Sequence, residues 1–261
     1  MLSGPKRTPG VTPDPKNRES RRGANALARL RAGDVVFGAI QAIPGAAGTD
    51  VAIRAGAEFV ILDCEHGLAD EDAHKASMRA LAKEDAFSAI RVRPDDLDAV
   101  GSYARLGADV ILMPNIKSAA AAHAFVAAGS EGRSADPASE QETAPLLMAM
   151  IESKAAVAQI RDIAATPGLG GVVVGPNDLC ADFGDGADFA APVFQEALVA
   201  VERAAAETAI VLGSGVYPGI SVTRLLQGGH TFILAASDVG ALETGYRNAF
   251  DAARTAPGAP P

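Results

Sequence analysis

The stretch PLLMAMIESKAAVAQIRDIAATPGLGGVVVGPNDLCADFG, residues 145–184, decides the fold. Its first apolar run, Leu146 to Ile151, ends at Glu152; a helical segment follows, and a second run, Gly171 to Val174, breaks into the turn Gly175-Pro176-Asn177-Asp178. Both runs are short, uncharged and bounded by Pro or Gly, the pattern of strands covered on both faces. Parallel strands joined by a helix emerge on the same rim of an α/β protein, and that rim carries its chemistry. Glu152 and Asp178, twenty-six residues apart, therefore stand just past the ends of consecutive strands and can converge on one hard divalent cation. The same residues can equally serve as a helix N-cap and a turn cap, and spacing alone leaves both readings open.

Outward from this unit the alternation continues. Strand-like runs at Val35 to Ile40, Phe59 to Leu62, Phe87 to Val92 and Val110 to Met113 precede it, and Ile210 to Leu212 and Phe232 to Ala235 follow it. Helical segments separate them: Gly45 to Ala55, Glu71 to Lys83, Asp96 to Leu106, Ser118 to Ala128, Val193 to Ala206, Ile220 to Gln227 and a closing Val239 to Arg254. Eight such repeats predict an α/β chain folded as a (β/α)8 TIM barrel, one catalytic domain over residues 26–255. The competing architecture is an open doubly wound sheet, but no G-x-G-x-x-G follows the first strand. Residues 1–25, with Pro5, Pro9, Pro13, Pro15 and six Lys or Arg, read as a disordered tail without a secretory h-region; residues 256–261, APGAPP, read as a frayed end. The polar segment GSEGRSADPASEQETA, residues 129–144, reads as a surface loop.

With 261 residues and 48% hydrophobic content, the chain can bury one large core. A formal charge of −9 argues against nucleic acid or an anionic membrane as partner. Two cysteines, Cys64 and Cys180, fit a reducing, cytoplasmic setting and are too few for a Cys-based metal site.

The polar residues at the strand ends form a set: Asp63, Glu65 and His66 after the second strand, Arg91 ending the third, Glu152 after the fifth, Asp178 after the sixth. An imidazole, a guanidinium and two metal-competent carboxylates are the parts needed to make and use an enolate. A cation and Arg91 would hold the developing negative charge while His66 moves a proton, with Asp63 orienting the imidazole as the aspartate of a dyad does. Each has a plainer reading as a solvated loop residue, a turn cap or a structural ion pair. Lys154 and Lys117 keep a Schiff-base mechanism open, and Gly213-Ser214-Gly215 after the seventh strand could receive a phosphate.

The segment IESKAAVAQIRDIAATPGLGGVVVGPNDLCADFG resembles the signature of the HpcH/HpaI aldolase and citrate lyase beta-subunit family; FVILDCEHGLAD resembles its D-x-E-H segment and AIRVRP its R-V-P segment. The resemblance runs from about Ala26 to Arg254, and the E-H pair points to the class II, metal-dependent pyruvate aldolase branch. It implies a carbon–carbon lyase that forms or cleaves hydroxy-2-oxo acids through a metal-bound enolate of pyruvate, with a 2-oxo acid and an aldehyde as partners. Glu152 and Asp178 would be the metal ligands, for Mg2+, Mn2+ or Co2+. Arg91 would steady the enolate oxygen and His66 would act with Asp63 as acid–base group. The turn Gly175, Pro176, Asn177 and Asp178 would receive the pyruvate carboxylate on backbone N–H groups. The family further implies a homo-oligomer, a hexamer built as a trimer of dimers.

Three features depart from the aldolase pattern. Met150 stands where a glutamine usually orients the oxo acid, the segment before strand five is short and lacks an Arg-Gly loop, and Arg93 replaces a proline and adds a cation to the rim. They keep two further readings open: an acyl-CoA lyase or thioesterase of the citrate lyase beta type, and a non-catalytic homologue with a vestigial site.

Overall fold

Eight parallel strands close on one another in sequence order in the computed structural model, which describes residues 25–67, 71–131, 144–184, 188–217 and 219–255. The first half runs α1 (Ala26–Arg31), β1 (Val36–Gln41), α2 (Ala46–Arg54), β2 (Phe59–Asp63), α3 (Glu71–Leu81), β3 (Phe87–Arg91), α4 (Leu97–Arg105), β4 (Val110–Met113) and α5 (Ala119–Glu131). The second half runs β5 (Leu146–Ile151), α6 (Lys154–Ala158), α7 (Ile160–Ala164), β6 (Gly171–Val174), α8 (Pro176–Phe183), α9 (Pro192–Thr208), β7 (Val211–Gly215), α10 (Val222–Gln227), β8 (Phe232–Ser237) and α11 (Asp238–Arg254). This is a (β/α)8 barrel.

Period-two alternation sorts the strand residues into two apolar layers. Phe59 and Ile61 of β2, Phe87 and Ala89 of β3, Met148 and Met150 of β5 and Val173 of β6 belong to the cluster inside the barrel. Val60, Leu62, Ile90, Ile151 and Val174 belong to the layer between strands and helices. Phe59 stacks on Phe232 with ring centroids 4.0 Å apart and on Phe87 at 5.5 Å. A Cβ on Gly38 of β1 would run into the Phe59 ring, so the stack exists because that position has no side chain. Continuing each inward series by two residues gives Asp63, Arg91 and Glu152, so one alternation builds the floor and aims three charged side chains above it.

Several boundaries differ from the sequence reading, each for a local reason. Helix α1 falls in a stretch read as no element. Asn25 caps it by accepting from the Leu27 N–H at 2.7 Å, and Ala26, Leu27 and Leu30 plug the N-terminal mouth of the barrel by packing on the inner cluster. The single helix expected after Glu152 is two short ones broken at Gln159. Gly175-Pro176-Asn177-Asp178 is not a free turn but the start of α8, with Pro at the first position, where its missing N–H costs nothing. A loop was expected from Gly129, but α5 runs to Glu131, and buried Gly129 lies against Leu147, where a Cβ would come within 2.6 Å of Leu147 Cδ1. The expected turn Gly213-Ser214-Gly215 is the end of β7, paired along β8, so it is no phosphate cradle. The two terminal tails and residues 132–143 of the expected loop lie outside the described residues.

Helix α11 breaks the barrel pattern. None of its seventeen residues is buried, and Val239, Leu242, Tyr246 and Phe250, spaced three and four apart, form one exposed apolar stripe. The strand it should cover is left open as well: Ala235 and Ala236 of β8 are exposed. Among the described residues no helix is long and apolar enough to cross a membrane.

Candidate active site

At the carboxyl ends of the strands opens a cavity of about 350 Å³. Asp63, His66, Arg91, Glu152, Gly175, Pro176, Asn177 and Asp178 all line it. Every residue given a catalytic, substrate-binding or metal role by sequence therefore reaches one space, whereas Glu65 of the strand-end set does not line it. Arg93, Lys117 and Lys154 do not line it; all three are exposed, which leaves a Schiff-base route without a lysine in the cavity wall.

On the β2–β3 side a charged network is closed by Arg91. Its Nε and Nη2 donate to the two oxygens of Asp63 at 2.9 and 2.7 Å, a bidentate pair across adjacent strands, and Asp63 is only 2% exposed. Asp63 Oδ1 also accepts from the backbone N–H groups of Glu65 and His66 at 3.0 and 3.3 Å. Burial alone would raise the Asp63 carboxyl, but the Arg91 hydrogen bonds and charge and these N–H groups hold it below the usual carboxylate range. Arg91 Nη2 lies 3.0 Å from His66 Nδ1, and Nη1 lies 3.3 Å from Glu65 Oε2. A guanidinium can only donate, so His66 Nδ1 accepts and the exchangeable proton sits on Nε2. The expected dyad is thus rearranged: Asp63 grips the backbone of His66 and the guanidinium, and Arg91 orients the imidazole.

On the β5–β6 side the charge is left open. Glu152, 8% exposed, accepts from the Asn115 N–H at 2.7 Å, which the left-handed turn at Asn115 (φ 56°) after β4 aims across. Its other oxygen faces Gly175, where a Cβ would stand 2.6 Å from Glu152 Oε1; the absent side chain gives the carboxylate its room. Burial pushes the Glu152 carboxyl up to about 7; repulsion from Asp178 and Glu65 adds to this, while the Asn115 N–H and Arg91 oppose it. Asp178 sits in the first turn of α8, where the N–H groups of Asn177 and Asp178 have no carbonyl one turn back and face an anion favourably.

Oxygen ligands, a buried carboxylate with unbalanced charge and a second carboxylate in the same cavity fit a hard divalent cation. Asp63, Glu65 and His66 also bring potential ligand atoms within 4.8 Å of one another, but Arg91 already bonds that group and supplies its positive charge. Cys64, between them in sequence, faces the helix layer, with Sγ 3.4 Å from Tyr103 Oη and 3.7 Å from His74 Nδ1, and burial pushes its thiol up.

Two cavity residues escaped the sequence reading. Asp238, at the start of α11, accepts from the N–H groups of Ala42 and Ile43 at 3.1 and 2.8 Å and closes the β8–β1 seam. Tyr217, two residues past β7, also lines the cavity. The only signal for it was an aromatic residue at a strand end, within Gly215-Val216-Tyr217.

A sequence profile of the HpcH/HpaI aldolase/citrate lyase family matches residues 44–244. A pyruvate aldolase of Rhizobium etli is 29% identical over 195 residues, which is 67% of this chain and 75% of that protein. A 5-keto-4-deoxy-D-glucarate aldolase of Klebsiella pneumoniae is 26% identical over 86% of this chain and 94% of its own length. Among solved structures, an HpcH/HpaI aldolase of Desulfitobacterium hafniense superposes with a TM-score of 0.77 at 22% identity, covering 90% of this chain and 98% of its own. The profile spans well over half of the sequence and includes Asp63, His66, Arg91, Glu152 and Asp178 of the cavity, and the chain belongs to the HpcH/HpaI aldolase/citrate lyase family.

Proposed function

We propose that the protein is a divalent-metal-dependent carbon–carbon lyase, a class II aldolase that cleaves or forms hydroxy-2-oxo acids, with pyruvate as the 2-oxo acid. The observation that carries this is the split of the cavity into an Arg91-neutralised side and a side where Glu152 and Asp178 share uncompensated charge. Glu152 and Asp178 would hold Mg2+, Mn2+ or Co2+, and such a cation supplies Lewis-acid polarisation of the 2-oxo group. The first-turn N–H groups of α8 receive the substrate carboxylate. Arg91, fixed by Asp63, holds negative charge as it develops on the 2-oxo oxygen. His66 exchanges a proton with the neighbouring carbon through Nε2, and Arg91 keeps the imidazole turned that way. The names of the Rhizobium and Klebsiella relatives support the same reaction class.

The stripe on α11 supports assembly into a homo-oligomer. The helix and its bare strand are complementary apolar surfaces that one chain leaves apart, and a second copy covers both by reciprocal exchange.

Pyruvate release from hydroxy-2-oxo acids, measured before and after exhaustive chelation, tests the reaction. Activity should vanish with the metal and return with Mg2+ or Mn2+, and His66→Ala should slow exchange of the pyruvate methyl protons while sparing metal affinity. Turnover undiminished in metal-free protein refutes the assignment.

A further inference from the structure

We propose that the phenol of Tyr217 binds the acceptor half of the substrate, donating a hydrogen bond to the aldehyde oxygen in synthesis and to the same oxygen as it becomes a carbonyl in cleavage. This rests on the lyase reading above and adds a residue to it. The cavity places its groups by strand: the carboxylates come from β5 and β6, Arg91 and His66 from β3 and β2, and Tyr217 from the end of β7, across the barrel from Arg91. The enolate has a partner for its oxygen and one for its carbon, but the second reactant needs a donor of its own.

Of the other polar side chains of the wall, three are already engaged. Asp63 is filled by Arg91, Asp238 by the Ala42 and Ile43 N–H groups, and Ser237 Oγ caps α11 by accepting from the Gly240 N–H at 3.1 Å. The floor below, with Ile61, Leu112, Met150 and Val173, is apolar. Tyr217 Oη is the neutral hydroxyl in the cavity wall that has no such duty among the described contacts.

Its ring is built into place. Gly215 beneath it carries no Cβ, and one there would collide with Tyr217 Cε2. Phe189 packs on the ring with centroids 5.6 Å apart and is itself held edge-on, also at 5.6 Å, by fully buried Phe194. The backbone is pinned on both sides, by Val216 N–H donating to Leu234 O at 2.9 Å and Ile220 N–H donating to Tyr217 O at 2.8 Å. A ring fixed in this way presents its hydroxyl without an ordering cost at the moment of reaction. Burial holds the phenol above its ordinary value, against the pull of Arg91 and with help from Asp178 and Glu152, so it stays a donor.

In synthesis the electron pair of the enolate C–C double bond forms the new bond to the aldehyde carbon. The aldehyde π pair moves onto its oxygen, which then takes a proton from solvent. Tyr217 keeps its own proton throughout and stabilises the charge on that oxygen; cleavage is the reverse.

The test separates two half-reactions of the metal-loaded enzyme. Exchange of pyruvate methyl protons with D2O needs no acceptor, whereas aldol cleavage and synthesis do. Tyr217→Phe keeps the ring and its packing. It should lower kcat/KM for the aldol reaction about a hundredfold and leave exchange within about twofold of wild type. Gly215→Ala, which displaces the ring, should give the same selective loss. Because the chain has three tyrosines and no tryptophan, tyrosine emission is readable. Glyceraldehyde should change it in the wild type and not in Tyr217→Phe. Equal loss of exchange and aldol activity, or no loss of either, overturns the proposal. Absence of pyruvate exchange in the wild type overturns the lyase reading first and this one with it.

Discussion

Glu152 offers the sharpest physical test because its burial costs stability in a way that pH can read. Its carboxyl lies at about 7 in the fold against an ordinary 4.5, so in metal-free protein the native state binds a proton that the unfolded chain releases between those values. With more protons on the native than the unfolded state, stability falls as pH rises through that window and levels off above it. The displacement corresponds to about 3 kcal/mol. Glu152→Gln keeps the shape and an oxygen to accept the Asn115 N–H, but cannot ionise. In chelator, the variant should match the wild type near pH 4 and exceed it near pH 8 by up to about 3 kcal/mol. For a barrel of this size that is a difference in Tm of about 6–12 °C. Thermal unfolding of both proteins across that range measures it, and the difference between them cancels the titrations of groups that do not interact with Glu152. Adding Mg2+ at pH 8 should then raise the Tm of the wild type alone, because only that protein keeps the charged site. A variant less stable than wild type at pH 8 without metal, or a difference that does not change with pH, refutes the reasoning.

Two further outcomes follow from the same network and from α11. Asp63→Ala should cost about 3–5 kcal/mol at neutral pH, since it strands the Arg91 guanidinium in a largely buried position; chemical denaturation reads this directly. Because the Asp63 carboxyl is held below its ordinary value, its contribution is complete above about pH 4 and is lost as pH falls through the folded value, so the variant should lack that part of the wild-type acid transition. Phe250→Asp, at the C-terminal end of the exposed stripe, should shift sedimentation mass toward the monomer while the far-UV circular dichroism stays unchanged; a mass equal to wild type would show that the stripe is not what joins the copies.

The strand ends were legible because short apolar runs bounded by Pro, Gly or charged residues alternate with helical segments along the chain. Which of their residues face inward was not, since both runs are apolar throughout; the closed barrel imposes the period of two that puts Phe59, Ile61 and Asp63, or Met148, Met150 and Glu152, in columns ending at the rim. Glu152 and Asp178 could be paired because their spacing fits one βαβ unit, whose two strands end on the same rim. What the period cannot encode is which rim groups choose each other. The choice of Arg91 by Asp63 depends on β2 and β3 lying side by side with Asp63 opposite Arg91, so the expected Asp63–His66 dyad gave way to a guanidinium bridge. Helix α1 was missed because six residues carry too little amphipathic pattern, and its place is fixed by the barrel mouth rather than by its own sequence. Tyr217 was missed because no pattern marks an aromatic residue in a loop; its position comes from Phe189 and Gly215, distant and adjacent in the chain.

The charge arithmetic of the cavity sets an order on binding. Its lining holds four carboxylates, Asp63, Glu152, Asp178 and Asp238, against the single guanidinium of Arg91. Arg91 is already committed to Asp63 by two hydrogen bonds, and Asp238 is partly offset by two backbone N–H groups. The residual negative field is therefore strongest between Glu152 and Asp178, where the α8 N–H groups would have to attract an anionic 2-oxo acid. A helix terminus contributes about half an elementary charge, less than either carboxylate opposes. A divalent cation bound there, as proposed, would reverse that local sign, and an anionic 2-oxo acid would then be expected to bind only after it. On that proposal the same acidity, which makes ionised Glu152 costly to the fold, would place stability and substrate affinity under one electrostatic control.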